Sequence, residues 1–198
     1  MITSIIHERE NLSQEAISEV SSKWANAQLI KGPVLSIPLI YELEKKDGMV
    51  ELTRYLHVLP EELNINGKID PEQLKRGIYE VVVYKSNLSV NGSFSPETLI
   101  DRNNLREVKW DQAFITIGIS DLRGIKEDII LDWNKEHIKA EPGSKIADLI
   151  SSGVTIDLPK GFDPTKKSID FQFNLQLQGS ENMSFVPLGG TTNYPTGI

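Results

Sequence analysis

Residues 24–41 read Trp-Ala-Asn-Ala-Gln-Leu-Ile-Lys-Gly-Pro-Val-Leu-Ser-Ile-Pro-Leu-Ile-Tyr, and the hydrophobic period changes within them. Upstream, Ile2, Ile5, Ile6, Ala16, Ile17, Val20, Trp24 and Ala27 share one helical face with Leu12 beside it, while Glu8, Arg9, Glu15, Glu19 and Lys23 fall mostly elsewhere. Downstream, Val34–Tyr41 is a strand-like run. Gly32-Pro33 between them predicts a helix stop. The chain therefore divides into residues 1–31, a long amphipathic helix, and residues 32–198, a β-rich body. Asn11 followed by Gln14 predicts a cap from which the helix restarts at Leu12. Such a helix either packs on its own domain or forms a stalk, its upper half exposed and its isoleucine-rich tip approaching a membrane.

The body is punctuated by turn dipeptides. Val34–Leu43 and Val50–Leu59 form two runs joined through Lys45-Lys46-Asp47-Gly48, a strong hairpin signal. Asn66-Gly67 and Asn91-Gly92 predict further turns, and Asp70-Pro71 a short helical turn through Leu74. Ile78–Tyr84, Phe114–Ser120, Val154–Leu158 and Met183–Val186 read as strands, Gly143–Ile150 as one helical turn. Ile129–Trp133 and His137–Ala140 are expected to pair through Asn134-Lys135. In Ser168–Gln178, Ile169, Phe171, Phe173, Leu175 and Leu177 alternate with polar residues, the mark of an antiparallel strand with one wet face. About ten strands without βαβ alternation give a mainly β fold, an antiparallel sandwich or two packed sheets behind a long N-terminal α-helix.

Composition excludes more than it selects. With 198 residues, 39% hydrophobic and 25% charged, the chain can bury a core without staples. A formal charge of −7 disfavours nucleic acid as a partner. The absence of cysteine removes disulfides, thiolate nucleophiles and cysteine-ligated zinc. No apolar run reaches the ~18 residues of a membrane span, and the opening residues do not form a signal peptide.

Candidate chemistry is sparse. His7, His57 and His137 lie on different elements, with no metal-ligand spacing, so no metal and no cofactor is assigned. Asp121, Asp128 and Asp132 cluster around Arg123-Gly124, and a hydrolase would need two of them across a substrate. The plainer reading makes Asp121 the cap of a bend, paired with Arg123. Trp24, Trp110, Trp133 and Tyr84 could offer a stacking platform, or could anchor the core. No nucleophile elbow or phosphate loop is present, so no catalytic residue is assigned.

Several stretches, taken in order, resemble the CreD family of bacterial inner-membrane proteins. They are Glu8-Arg9, Glu15–Val20, Trp24, Gln28 and Gly32–Pro38; then Leu59-Pro60-Glu61, Arg76–Val81, Tyr84 and Gly92-Ser93-Phe94; then Ile119–Ile125; and last Phe185–Gly189. The resemblance implies a membrane helix just before residue 1 and a periplasmic position for this region. It implies further extracytoplasmic chain and membrane helices after it, so that residues 32–198 need not complete the domain; Asn193–Thr196 matches the family only loosely. It also implies a non-enzymatic role in cell-envelope integrity and envelope stress, with protein partners unspecified. Two alternatives stand beside it. One is a glycan or small-ligand binding module, which requires Trp110 and Trp133 exposed on a concave sheet face. The other is an envelope-glycan hydrolase using Asp121, Asp128 or Asp132.

Overall fold

The computed structural model describes residues 2–45, 48–133, 136–159, 168–186 and 188–193. One helix, α1 (Ile2–Trp24), precedes strands β1 (Gln28–Lys45), β2 (Gly48–Val58), β3 (Glu62–Arg76), β4 (Tyr79–Phe94), β5 (Leu105–Val108), β6 (Phe114–Ile119) and β7 (Ile130–Trp133). These are followed by β8 (Glu136–Lys139), β9 (Glu141–Pro142), β10 (Gly153–Asp157), β11 (Ile169–Ser180), β12 (Met183–Val186) and β13 (Thr191–Asn193). Two sheets result. One has the order β12-β1-β6-β10-β9, with β2 and β5 also bonded to β1; the other has the order β13-β3-β4-β11-β7-β8. The fold is mainly β, with two packed sheets.

The inner faces meet in one core. Leu35, Ile37, Ile115, Ile117 and Ile119 from the first sheet face Leu63, Leu88, Val90, Phe171, Phe173 and Leu175 from the second. Trp133 and Phe94 are the largest side chains wholly enclosed, and the Phe94 and Phe171 rings lie 4.8 Å apart. Strand β11 alternates buried and exposed from Ile169 to Leu175, as its sequence period requires. Strand β6 departs from alternation because both its faces are covered: Ile115, Ile117 and Ile119 fill the main core, and Phe114 packs outward with Val34, Ile146 and Ile150. The segment that closes this second cluster turns once, the N–H of Ile150 donating to the Ile146 carbonyl at 2.8 Å.

Several expectations are corrected. The helix is continuous from Ile2 to Trp24, with no restart at Leu12. It stops at Trp24, not at Gly32-Pro33, which lies inside β1 where the register against β6 shifts between Lys31 and Val34. Gly32 takes φ 90° there, so the dipeptide makes a bulge in a strand. Asn66-Gly67 and Asn91-Gly92 are not turns: β3 and β4 run straight through them. A Cβ on Gly67 would stand 2.1 Å from the Asn87 carbonyl oxygen, and one on Gly92 2.1 Å from that of Glu62, so both glycines serve close strand approach. Asp70-Pro71 also stays in β3, Pro71 facing Tyr84, and the chain reverses at Gly77-Ile78 instead. The sheets are not purely antiparallel, because β12 beside β1 and β13 beside β3 run parallel. The turn residues Lys46-Asp47 and Asn134-Lys135, the side chains of Ile2 and Ile5, Pro187, and the stretch from Tyr194 onward lie outside the described residues.

Candidate functional site: the joint between helix and body

The outer face of the six-stranded sheet is polar except at one end. There Val81 and Val83 of β4 are buried under Val20, with Ile17, Trp24 and Leu74 against them. Two β-branched residues on an otherwise polar strand face mark where the amphipathic stripe of α1 docks. The stretch after Trp24 is then locked by hydrogen bonds. Ala25, only 2% exposed, adopts φ 81°, a left-handed helix end usually taken by glycine. Its N–H donates to the Ser21 carbonyl at 2.8 Å, and its own carbonyl accepts from the Ser180 hydroxyl at 3.0 Å. Ser21 and Ser180 hydroxyl oxygens are 2.6 Å apart, and with the Ser180 proton directed at Ala25, Ser21 is the donor of that pair.

Gln28, 1% exposed, is the hub of the joint. Its amide nitrogen donates to the carbonyls of Asp121 at 2.9 Å and Gln178 at 3.4 Å, while its amide oxygen accepts from the Asp121 N–H at 3.4 Å. The Asp121 carboxylate accepts from the Asn26 N–H at 3.0 Å and from the Arg123 N–H at 3.1 Å. It also takes both arms of the Arg123 side chain, at 3.0 and 2.6 Å. The Arg123 hydrogen bond, then the backbone N–H groups of Asn26 and Arg123, hold the Asp121 carboxyl down to about 2 against a smaller opposing effect of burial. Tyr84 closes the far side: its hydroxyl donates to the Asn182 carbonyl at 2.7 Å, and burial pushes it up to about 12. This arrangement fixes the direction in which α1 leaves the body.

Farther along, the β3–β4 hairpin lies against α1. Arg76 grips Glu19 with two contacts of 2.6 and 2.5 Å, and the Tyr79 hydroxyl donates to the Arg9 carbonyl at 3.3 Å. Beyond Leu12 the helix projects: Ile6 is 50% and Leu12 46% exposed. The C-terminal half of the helix thus packs on its own domain, and Ile6 and Leu12 of the other half stay exposed.

The sequence-level candidates are dispersed. Asp121 is the bend cap, with its N-cap oxygen on Arg123 as the sequence suggested. Asp128 pairs with Lys139 at 2.7 Å beside a groove of about 340 Å³, whereas Asp132 meets His137 at 2.5 Å beside a different depression of about 450 Å³. Nothing brings the three carboxylates to one cleft. His7 sits by Glu10, and His57 by Ser36, where burial lowers its basicity. Among the described residues no group of three potential ligands could hold a metal ion. Trp133 is 1% and Tyr84 4% exposed, Trp110 packs half-buried on the core, and Trp24 lies under Lys85 against the body. The aromatic platform required of a glycan module is therefore not formed.

Sequence reasoning missed the polar character of this joint. Gln178 falls on the polar side of the alternating run Ser168–Gln178, and nothing local marks Ser21, Gln28 or Ser180 as buried. It also missed a row of six polar residues across the second sheet. Asn193, Asn64, Asn91, Gln172, Asp132 and His137 stand in successive register on six neighbouring strands. Pairing over sequence separations this long leaves no local pattern.

Some of the stretches that carry the family resemblance lie around α1, whereas Leu59–Glu61 and Gly92–Phe94 lie elsewhere. Trp24, Gln28 and Ser120–Gly124 build the joint, Arg76–Val81 lies along the helix, and Phe185-Val186 borders β1 next to it. The chain matches the family model described as Inner membrane protein CreD over residues 1–195. It is 29% identical over 205 residues to the inner membrane protein CreD of Escherichia coli (strain K12), the alignment covering 98% of this chain and 45% of that protein. The chain thus spans less than half the length of that relative. No solved structure matches it. No helix among the described residues is long and apolar enough to cross a membrane. The match extends from the first turn of α1 through β13, and the chain belongs to the CreD family of inner membrane proteins.

Proposed function

We propose that this chain is the periplasm-facing part of an inner-membrane protein, that it serves cell-envelope integrity and the response to envelope stress, and that it does so without catalysing a reaction. One observation carries the reading. The buried joint around Gln28 welds the C-terminal half of α1 to the body, while the N-terminal half projects with Ile6 and Leu12 uncovered. A helix held rigidly at one end and bare at the other suits a connection to a membrane segment. The name of the Escherichia coli relative, an inner membrane protein, agrees with such a root. On this reading α1 is juxtamembrane, and the chain from β1 onward belongs to the extracytoplasmic body.

The test is topological. In cells carrying the full reading frame, alkaline phosphatase, which folds only after export, is inserted after Asn193. Strong phosphatase activity in intact cells is expected. A reporter that is inactive there, with a fluorescent protein at the same site glowing in the cytoplasm, overturns the reading.

A further inference from the structure

Strand β2 is bonded to β1 alone, and no other described strand pairs with its outer edge. It runs for 11 residues in unbroken register with β1, without proline, lysine or bulge. Those are devices by which sheet edges ordinarily refuse a further strand. The charges in the middle of the strand are engaged within the chain, Glu51 by Arg106 and Arg54 over the Tyr41 ring at 5.9 Å. Met49, Val50 and Tyr55 stay 63%, 41% and 53% exposed.

The phase of the open edge follows from the neighbouring ladder. The Pro38 carbonyl accepts from the Lys109 N–H at 2.9 Å, and the Glu42 N–H donates to the Asn104 carbonyl at 2.9 Å. Both bonds lie on the β5 side of β1, away from β2. The β2 residues opposite them, Tyr55 and Glu51, therefore turn their backbone groups outward. By alternation Met49, Glu51, Thr53 and Tyr55 present N–H and C=O at the open edge.

Symmetry and side-chain chemistry select the occupant. A two-fold axis normal to the sheet sets two residues opposite each other only where both lie on the same face, so their numbers share parity. Centred on Glu51 or Arg54, such a pairing opposes like charges. Centred on Thr53, it sets Tyr55 against Glu51 and Met49 against His57. Centred on Leu52, it sets Met49 against Tyr55 of the second copy on both sides of the axis, Glu51 against Thr53, Val50 against the stem of Arg54, and Leu52 against itself. This last register covers the three bare apolar side chains, brings a thioether to an aromatic ring, and makes about eight backbone hydrogen bonds. The strand supplies its own complement, which favours a second copy over a foreign strand. We propose that β2 is a self-association edge, where a second copy of this chain adds antiparallel across Leu52 and the seven-stranded sheet continues from one body into the other.

One strand a side is a small interface, so a concentration-dependent dimer is expected. Sedimentation velocity of the chain between roughly 10 and 500 μM should show the average mass rising towards that of two copies. Thr53→Pro removes an N–H that points out of the sheet; it should keep the thermal melt while holding the chain monomeric. The chain has no cysteine, so Leu52→Cys carries a unique thiol. Under mild oxidation it should form a disulfide-linked dimer at least tenfold faster than Asn174→Cys, on the exposed face of β11. A chain that stays monomeric throughout that range overturns the inference. So does a dimer that persists in folded Thr53→Pro, which would place the contact on another face, and so do equal oxidation rates at residues 52 and 174. Should Thr53→Pro not fold, the comparison of the two thiols decides.

Discussion

At Ala25 the backbone takes φ 81°, where a methyl group is strained by about 1–2 kcal/mol relative to glycine. Three hydrogen bonds at Ala25, Asn26 and Ser21 hold it there. Ala25→Gly is expected to raise stability by up to about 1 kcal/mol, or Tm by about 2–4 °C for a chain of this size. Gly124→Ala runs the other way. Its Cβ would meet the Gln28 amide nitrogen at 2.3 Å and the Gln178 carbonyl oxygen at 2.4 Å, and a loss of roughly 1–3 kcal/mol in urea unfolding is expected. Asp121 makes the joint sensitive to acid. Its folded value, about 2, lies below that of an unfolded carboxyl, so its contribution is present above about pH 4 and is lost as pH falls towards 2. Asp121→Asn should therefore lower stability at pH 7 by roughly 1.5–3 kcal/mol and flatten the decline between pH 4 and 2. An unchanged acid limb in thermal melts of the variant would show that the carboxylate is not what secures Asn26.

Strand β11 is the element best suited to checking face assignment, because its two faces differ so sharply. Phe173 is 2% exposed and Asn174 points to solvent. Phe173→Asp is expected to unfold the body, a loss above about 4 kcal/mol, whereas Asn174→Lys should stay within about 0.5 kcal/mol. Circular dichroism melts that rank the two in the opposite order would put the strand in the wrong phase. The alternation that makes this prediction was legible in the sequence, as were the antiparallel pairing of β1 with β2, the Asp121 bend, and the switch from helical to strand period. Asn-Gly at residues 66–67 and 91–92 misled because the same dipeptide serves a turn and a tight strand crossing, and only the partner strand decides. Gly32-Pro33 misled for a related reason: both residues end helices, yet both are tolerated at a strand bulge. Strand β13 could not be read at all, since its three residues gain their conformation from parallel pairing with Glu62–Asn64. The joint was half legible. Trp24 and the bend at Asp121 stood out, but burial of Gln28 follows from contacts with residues about 90 and 150 positions away.

As a whole molecule the chain is a two-sheet body with one helix laid over the end of a polar face. The two halves of that helix should contribute unequally. Removing residues 1–11 takes away the exposed side chains of residues 6–11 and one exposed hydrogen bond, Tyr79 to the Arg9 carbonyl, and is expected to shift the urea midpoint little. Removing residues 1–24 strips the cover from Val81 and Val83 and takes Ser21 from Ser180, so a loss of several kcal/mol is expected. Equal effects of the two deletions would mean that α1 is not docked as described. A last consequence concerns tension. Strand β1, 18 residues long, follows α1 after three intervening residues and is bonded along its length to β12, β6, β2 and β5. A pull arriving through the helix enters β1 at its first residue and is shared among ladders on both sides. Those ladders are then sheared together instead of being unzipped one rung at a time. The same strand that organises the fold would make the body a tough anchor for whatever strains the helix.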